Sequence, residues 1–307
     1  MELLKWFAAG YIFLVGIIGL LANGFVVVCF KIDKENRESF NIVSLMRAVS
    51  NIIILLLCFE LDFFTAFFTS LYSDNIETAI ITISQGAYVF NQCITIYIAL
   101  NRLFSLYFPS IYSILFSKLN TCIFLLALFL IRTGWSISEI HRHWDKCYLV
   151  FNLEYLAWTG YPESCMEDWP DLVNIMLGCL LFVVLVNLTT MMKIVMFYKS
   201  EHMRAFSNNS DDKVRKNVYL FSQTLIQDAL FLVDMIFTFK LSSLSTAPLW
   251  TFISGTAVWQ AVHALDGIVM TFFNDRYSLL RSVFVKPPKP TVSFVTAATS
   301  IVRRPNN

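Results

Sequence analysis

The chain has 307 residues, 57% hydrophobic and 15% charged, with a mean hydropathy of +0.62. Soluble domains run nearer roughly 45–50% apolar and about 25% charged, so a water-soluble fold is excluded once the length of the apolar runs is added. A net charge of +1 leaves no electrostatic footprint for nucleic acid.

Taken in chain order, apolar runs over 7–30, 41–70, 79–107, 119–140, 172–198, 217–240 and 249–273 each reach or exceed the ~20 residues that cross a bilayer as helix. Lipid offers no hydrogen bonds, so each run must close its backbone on itself. The expected fold is an all-α membrane protein: a seven-transmembrane helix bundle with a short amphipathic helix after the seventh span. The second and third runs are long enough to tilt or project. The sixth is the least apolar, interrupted by Gln227, Asp228 and Asp234. The first is too long for a cleaved signal segment and reads as an anchor with about six residues outside it. A seven-transmembrane domain over 1–285 is expected, followed by a Pro- and Ser/Thr-rich disordered tail over 286–307.

Orientation follows from lysine and arginine. With the N-terminus outside and the C-terminus in the cytoplasm, the inner segments exceed the outer ones in these residues by roughly four to one. The outer set is Lys5, Arg142, Lys146 and Lys240. Cys147 and Cys165 then share the outer loop between the fourth and fifth runs, where an oxidising compartment favours their pairing. The remaining cysteines read as packing residues. The sequons at Asn187 and Asn208 fall within the membrane or on the inner side, where glycosylation is not expected.

Three stretches carry a specific pattern. At the inner end of the third run stands Asn101-Arg102-Leu103-Phe104-Ser105-Leu106-Tyr107-Phe108-Pro109-Ser110-Ile111-Tyr112. The first run contains Gly19-Leu20-Leu21-Ala22-Asn23-Gly24-Phe25-Val26. The seventh ends Asp266-Gly267-Ile268-Val269-Met270-Thr271-Phe272-Phe273-Asn274. These resemble, respectively, the Asp-Arg-Tyr…Pro…Tyr, Gly-Asn…Val and Asn-Pro-x-x-Tyr signatures of rhodopsin-like G-protein-coupled receptors. Departures are also clear. Asn51 stands where most such receptors carry aspartate, Gly267 replaces proline, Met270 replaces tyrosine, and the fifth and sixth runs contain no proline. The third run also lacks a cysteine at its outer end. With Phe221–Asp228 and Ala99–Arg102, the chain most resembles the nematode serpentine chemoreceptors of class x. Gly16, Gly19 and Gly24 are expected to admit close helix approach, and Gly267 to allow local distortion.

The resemblance implies a G-protein-coupled chemoreceptor at the plasma membrane of a sensory cilium, sensing an extracellular small molecule and activating a heterotrimeric G protein. It carries coupling onto Arg102, Pro109 and Tyr112. The basic rim Lys213, Arg215 and Lys216 would dock the partner or anionic lipid heads. Buried polar residues in lipid seek the bundle interior, which joins Asn23, Asn51, Asp266 and Asn274 into a polar switch cluster. Arg47 and Asn51 sit too deep for an outside ligand. Glu60, Asp62, Gln85, Tyr88, Trp259, Gln260 and His263 form a candidate pocket in the outer halves of the second, third and seventh runs. No metal, cofactor or catalytic motif is seen. The alternative is a small channel or transporter, against which stand the missing repeats and pore-lining rings.

Overall fold

The computed structural model describes residues 2–32, 39–58, 72–162, 169–202 and 208–273. They belong to one unit, Met1–Asn274; a second unit, Asp275–Asn307, lies outside the described residues, and with it the expected amphipathic helix and tail.

Apart from 59–70 of the second run, which lie outside the described residues, the apolar runs form helices. These are α1 Glu2–Ile32, α2 Ser39–Cys58, α3 Asp74–Tyr107, α5 Lys118–His143, α6 Trp169–His202 and α7 Asn208–Ile236. A short helix, α4 Pro109–Leu115, intervenes after α3, with Pro109 at its first turn. There a missing N–H costs nothing. The seventh run is composite: α8 Pro248–Thr251, a wide π turn Phe252–Ala257, then α9 Val258–Phe272. A second π turn, Phe237–Leu241, closes the sixth run. With no proline to kink these two helices, widened turns supply the distortion. The turns are linked, since Thr238 Oγ1 donates to Ser254 O at 3.4 Å.

Within the described residues, five helices are long and apolar enough to cross a membrane: Glu2–Ile32, Ser39–Leu57, Lys118–His143, Asn174–Met196 and Tyr219–Leu244. The more polar α3 and α9 owe their polarity to their position. Glu77, Ser84, Asn91 and Thr95 of α3 and Gln260, His263 and Asp266 of α9 are all buried. The fourth and fifth spans, by contrast, turn Leu126, Leu130, Ile131, Leu181, Leu185 and Met192 outward, as a lipid-facing wall requires.

The backbones of α1 and α9 approach closely through Gly19. A Cβ there would lie 2.8 Å from that of Ala264 and 2.7 Å from Leu55 Cδ1. Gly24 does not share this role, since a Cβ there meets nothing within 4 Å.

One element adds to the all-helical plan. Strands β1 Tyr148–Asn152 and β2 Ala157–Tyr161 pair antiparallel, Tyr148 opposite Tyr161 and Asn152 opposite Ala157. The four-residue connection is held by Asn152 Oδ1, which accepts from the N–H groups of Glu154 and Tyr155 at 2.8 and 3.3 Å. It ends at Leu156, buried at φ 52°. A leucine in the left-handed region carries strain. It is held there by packing with Ala8, Ile12, Phe151, Phe252 and Ala257, and Thr256 Oγ1 donates to its carbonyl at 2.9 Å. The hairpin is also tied to α3. Leu149 N–H donates to Thr78 Oγ1 at 2.9 Å, Phe151 N–H to Glu77 Oε2 at 3.4 Å, and the Tyr161 hydroxyl to Asp74. It caps one end of the bundle, referred to below as the hairpin end.

Candidate functional site

The centre of the bundle is a hydrogen-bonded network fed by five helices. Asp266 of α9, fully buried, is its hub. Its Oδ2 accepts from Arg47 Nε of α2 at 2.9 Å and from Asn51 Nδ2 at 2.7 Å. Its Oδ1 accepts from Gln227 Nε2 of α7 at 2.8 Å. Asn51 also donates to Asn23 Oδ1 of α1 at 3.1 Å, and its own Oδ1 accepts from Asn91 Nδ2 of α3 at 2.7 Å. Arg47 Nη1 reaches Thr95 Oγ1 at 3.2 Å, and its guanidinium carbon stands 4.9 Å from the centre of the Phe231 ring. A charge withdrawn from water needs a counter-charge and satisfied hydrogen bonds. Arg47 and Asp266, 1% and 0% exposed, are each other's counter-charge, while Arg47 Nη2 has no hydrogen-bond partner among the described residues.

The structure therefore brings Asn23, Asn51 and Asp266 together, while Asn274 lies outside the described residues. Gly267 has a different use from the one its place in the motif implies. A Cβ at Gly267 would lie 2.3 Å from Asn23 Nδ2. The missing side chain leaves the notch that Asn23 fills on its way to His263 O, 3.2 Å away. The helix runs on through this position, so the glycine serves close approach, not a bend.

Toward the hairpin end, His263 continues the network. Its Nδ1 lies 2.9 Å from Asn51 Oδ1. Because Asn51 Nδ2 is committed to the Asp266 carboxylate, its Oδ1 can only accept, so Nδ1 carries the hydrogen. Nε2 is then an acceptor on the far side of the ring, buried and without a hydrogen-bond partner among the described residues. Around this ring stand Tyr88, Phe231 and Trp259, with centroids 5.8, 5.9 and 6.0 Å away, each near edge-to-face. The Tyr88 hydroxyl donates to Asp234 Oδ2 of α7 at 2.7 Å.

Of the expected pocket, Tyr88, Trp259 and His263 thus meet. Gln85 is half-buried one turn from Tyr88 on α3. Gln260 turns instead to α1, donating to Ile12 O at 2.9 Å. Glu60 and Asp62 lie outside the described residues.

At the opposite end, Arg102 closes α3. Its guanidinium carbon sits 5.2 Å over the Phe40 ring. Tyr112 stacks on Phe116, centroids 5.5 Å apart, and Ser39 Oγ donates to Phe116 O at 2.7 Å, joining this turn to α2. Lys193 of α6 lies 5.2 Å over the Tyr107 ring, whose hydroxyl donates to Thr189 O at 3.2 Å. Asn187 Nδ2 donates to Asp228 Oδ2 at 2.5 Å, joining the fifth and sixth spans. Asn187 is buried, so this sequon is committed to packing. Lys213, Arg215 and Lys216 fall on α7, their side chains outside the described residues. Cys147 is disulfide-bonded; Cys165 lies outside the described residues.

Outside the membrane-spanning segments, Asp74 beside Tyr161 holds that phenol up to about 12, because the neutral hydroxyl is the form that donates to the carboxylate.

Asn91, Thr95 and Glu77 were not singled out by sequence reasoning, and neither was the pairing of Arg47 with Asp266. A signal was available for α3. Ser84, Tyr88, Asn91 and Thr95 recur at four-, three- and four-residue steps, one polar stripe along one face of the helix.

Comparison with known proteins bears on the same residues. The chain is 24% identical over 202 residues to serpentine receptor class X 45 of Caenorhabditis elegans. That alignment covers 60% of this chain and 55% of the relative, so it spans about half of that protein's length. Residues 13–274 match the family described as serpentine type 7TM GPCR chemoreceptor Srx. That stretch contains Asn23, Arg47, Asn51, Asn91, Gln227, His263 and Asp266, and the chain belongs to the Srx family of seven-transmembrane serpentine receptors.

Proposed function

We propose that the chain is a G-protein-coupled chemoreceptor of the plasma membrane, its N-terminus outside, that converts binding of an extracellular small molecule into activation of a heterotrimeric G protein. One observation carries the reading. A continuous polar network runs from His263, whose ring meets that of Tyr88, through Asn51, to Arg47, Asp266 and Gln227. It joins five helices through directional bonds at the centre of the bundle. Moving any one helix must exchange directional bonds, which gives the bundle discrete alternatives rather than continuous flexing. A ligand favouring one arrangement shifts the population toward it.

The output end is Arg102. Its guanidinium rests on the Phe40 ring, from which it would turn toward a docked helix. There its planar fork would meet terminal carbonyls. Tyr112 and the turn opened by Pro109 lie beside it, and Lys213, Arg215 and Lys216 would add a basic rim that suits an acidic partner face. The location on a sensory cilium follows from the family resemblance alone.

The test is nucleotide exchange on purified G-protein heterotrimer by receptor reconstituted in lipid. Arg102→Ala is expected to reduce exchange by tenfold or more while surface expression stays close to normal. Retained exchange would remove Arg102 from this role. A tag at the N-terminus, reachable on unpermeabilised cells when one at the C-terminus is not, checks the orientation.

A further inference from the structure

The half of the bundle nearest the hairpin holds a set of polar groups of one kind. Asp234 is 1% exposed. Among the described residues its polar partners are the Tyr88 hydroxyl at 2.7 Å and the Thr238 hydroxyl at 3.3 Å, both neutral. The other buried carboxylate hub, Asp266, has the Arg47 guanidinium; Asp234 has no cation among the described residues. A carboxylate in low dielectric without a counter-charge is costly. Nearby, His263 Nε2 is an acceptor without a donor, by the tautomer that Asn51 imposes. Tyr88 connects the two: its hydroxyl is on Asp234 and its ring is 5.8 Å from the imidazole. Among the described residues, a carboxylate without a counter-charge and an imidazole acceptor without a donor thus lie amid the rings of Tyr88, Phe231 and Trp259. Aromatic faces attract an ammonium group, and more strongly where water is excluded.

From this complementarity we infer that the region between the third, sixth and seventh spans binds a small protonated primary amine with an apolar body. The ammonium pairs with Asp234 and donates a second N–H to His263 Nε2. The body lies against Trp259 and Phe231. The π turn Phe237–Leu241, which begins one turn beyond Asp234, is where the sixth span would yield to admit it. This deepens the receptor reading and rests on it, but binding is measured separately from signalling.

The experiment uses the full chain reconstituted in lipid nanodiscs. Its thermal unfolding is followed with primary amines from n-butylamine to phenethylamine, and with the neutral 2-phenylethanol and the acidic 3-phenylpropanoate. Amines are expected to raise the unfolding temperature with saturable dependence, the alcohol and the acid not. Asp234→Asn keeps an acceptor for Tyr88 and is expected to weaken amine binding by roughly tenfold to a hundredfold. Equal stabilisation by the alcohol, preference for the acid, no shift with any amine, or unchanged affinity in Asp234→Asn would each overturn the assignment. Amine binding with no effect on nucleotide exchange would uphold the site and remove the signalling reading instead. Exchange driven only by neutral or acidic cues would do the reverse.

Discussion

Removing Arg47 while leaving Asp266 in place is the most informative perturbation of the polar core. Arg47→Met keeps most of the side-chain volume and deletes the guanidinium. Three interactions go with it. The charge-assisted bond to Asp266 Oδ2 at 2.9 Å is worth about 1.5–3 kcal/mol. The bond to Thr95 at 3.2 Å is worth about 0.6 kcal/mol by the average for bonds between helices in membranes. The contact with Phe231 at 4.9 Å contributes about 0.5–2 kcal/mol. The total loss is about 2.6–5.6 kcal/mol, which brackets the ~3–5 kcal/mol for breaking a buried ion pair by removing one partner. Asp266→Asn alone removes the charge but leaves Arg47 stranded, and its new amide meets the donors Asn51 and Gln227, so its cost is similar. In the double variant neither charge is left uncompensated, and much of the loss should return. Equilibrium unfolding in bicelles, run as a double-mutant cycle, should give a coupling of about 2 kcal/mol or more. Additive single effects would refute the claim that each charge is held by the other.

Three further outcomes are expected. Gly267→Ala places a Cβ 2.3 Å from Asn23 Nδ2 and should destabilise by about 1–3 kcal/mol through overpacking; Asn23→Ala in the same chain should recover part of that loss in a thermal melt. Spectrophotometric titration should find the Tyr161 phenol ionising near 12, and Asp74→Asn should bring it down. With the folded value above the ordinary 10.0, the tether's contribution is complete below about pH 10 and is lost as pH rises through the folded value. Cys147→Ser and Cys165→Ser should give the same defect singly and together if the two residues share one bond, read as surface expression; additive defects would mean that they do not pair.

The helices were legible because lipid imposes one rule on every span. A run such as 119–140 needs only length and hydropathy, and Lys118–His143 follows. The hairpin was not legible for the opposite reason. Tyr148–Asn152 and Ala157–Tyr161 alternate only weakly, and what holds them is tertiary: Leu156 packed against Phe252, and Leu149 bonded to Thr78. The π turns left no mark either, since a widened turn needs no proline or glycine signal. In the site, Asn23, Asn51 and Asp266 could be grouped because amides and acids in apolar runs must find one another. Which one each finds depends on helix rotation, so Arg47 looked too deep for a ligand and its partner went unnamed. Gly267 was misjudged for a related reason: the motif register recorded a lost proline, whereas the geometry shows space reserved for Asn23.

The departures from the rhodopsin-like pattern become coherent once the network is known. Where most such receptors place an aspartate, Asn51 stands, and a second carboxylate beside Asp266 would have left two like charges a hydrogen bond apart. Among the described residues the cation paired with Asp266 is Arg47, a side chain. Arg47 is covalently fixed, cannot dissociate, and also reaches Thr95 on the third span. A core neutralised by its own arginine needs no exchangeable ion. Its rearrangement must then be driven by whatever repositions the second, third, sixth or seventh helix. Asp234 has no such internal cation among the described residues, sits at the hairpin end, and lies on the same helix as Gln227, seven residues away. On the proposed amine-binding reading, the Arg47–Asp266 pair and Asp234 are two ends of one lever: the first would hold one arrangement of the bundle, and the second would be where an outside charge acts on it.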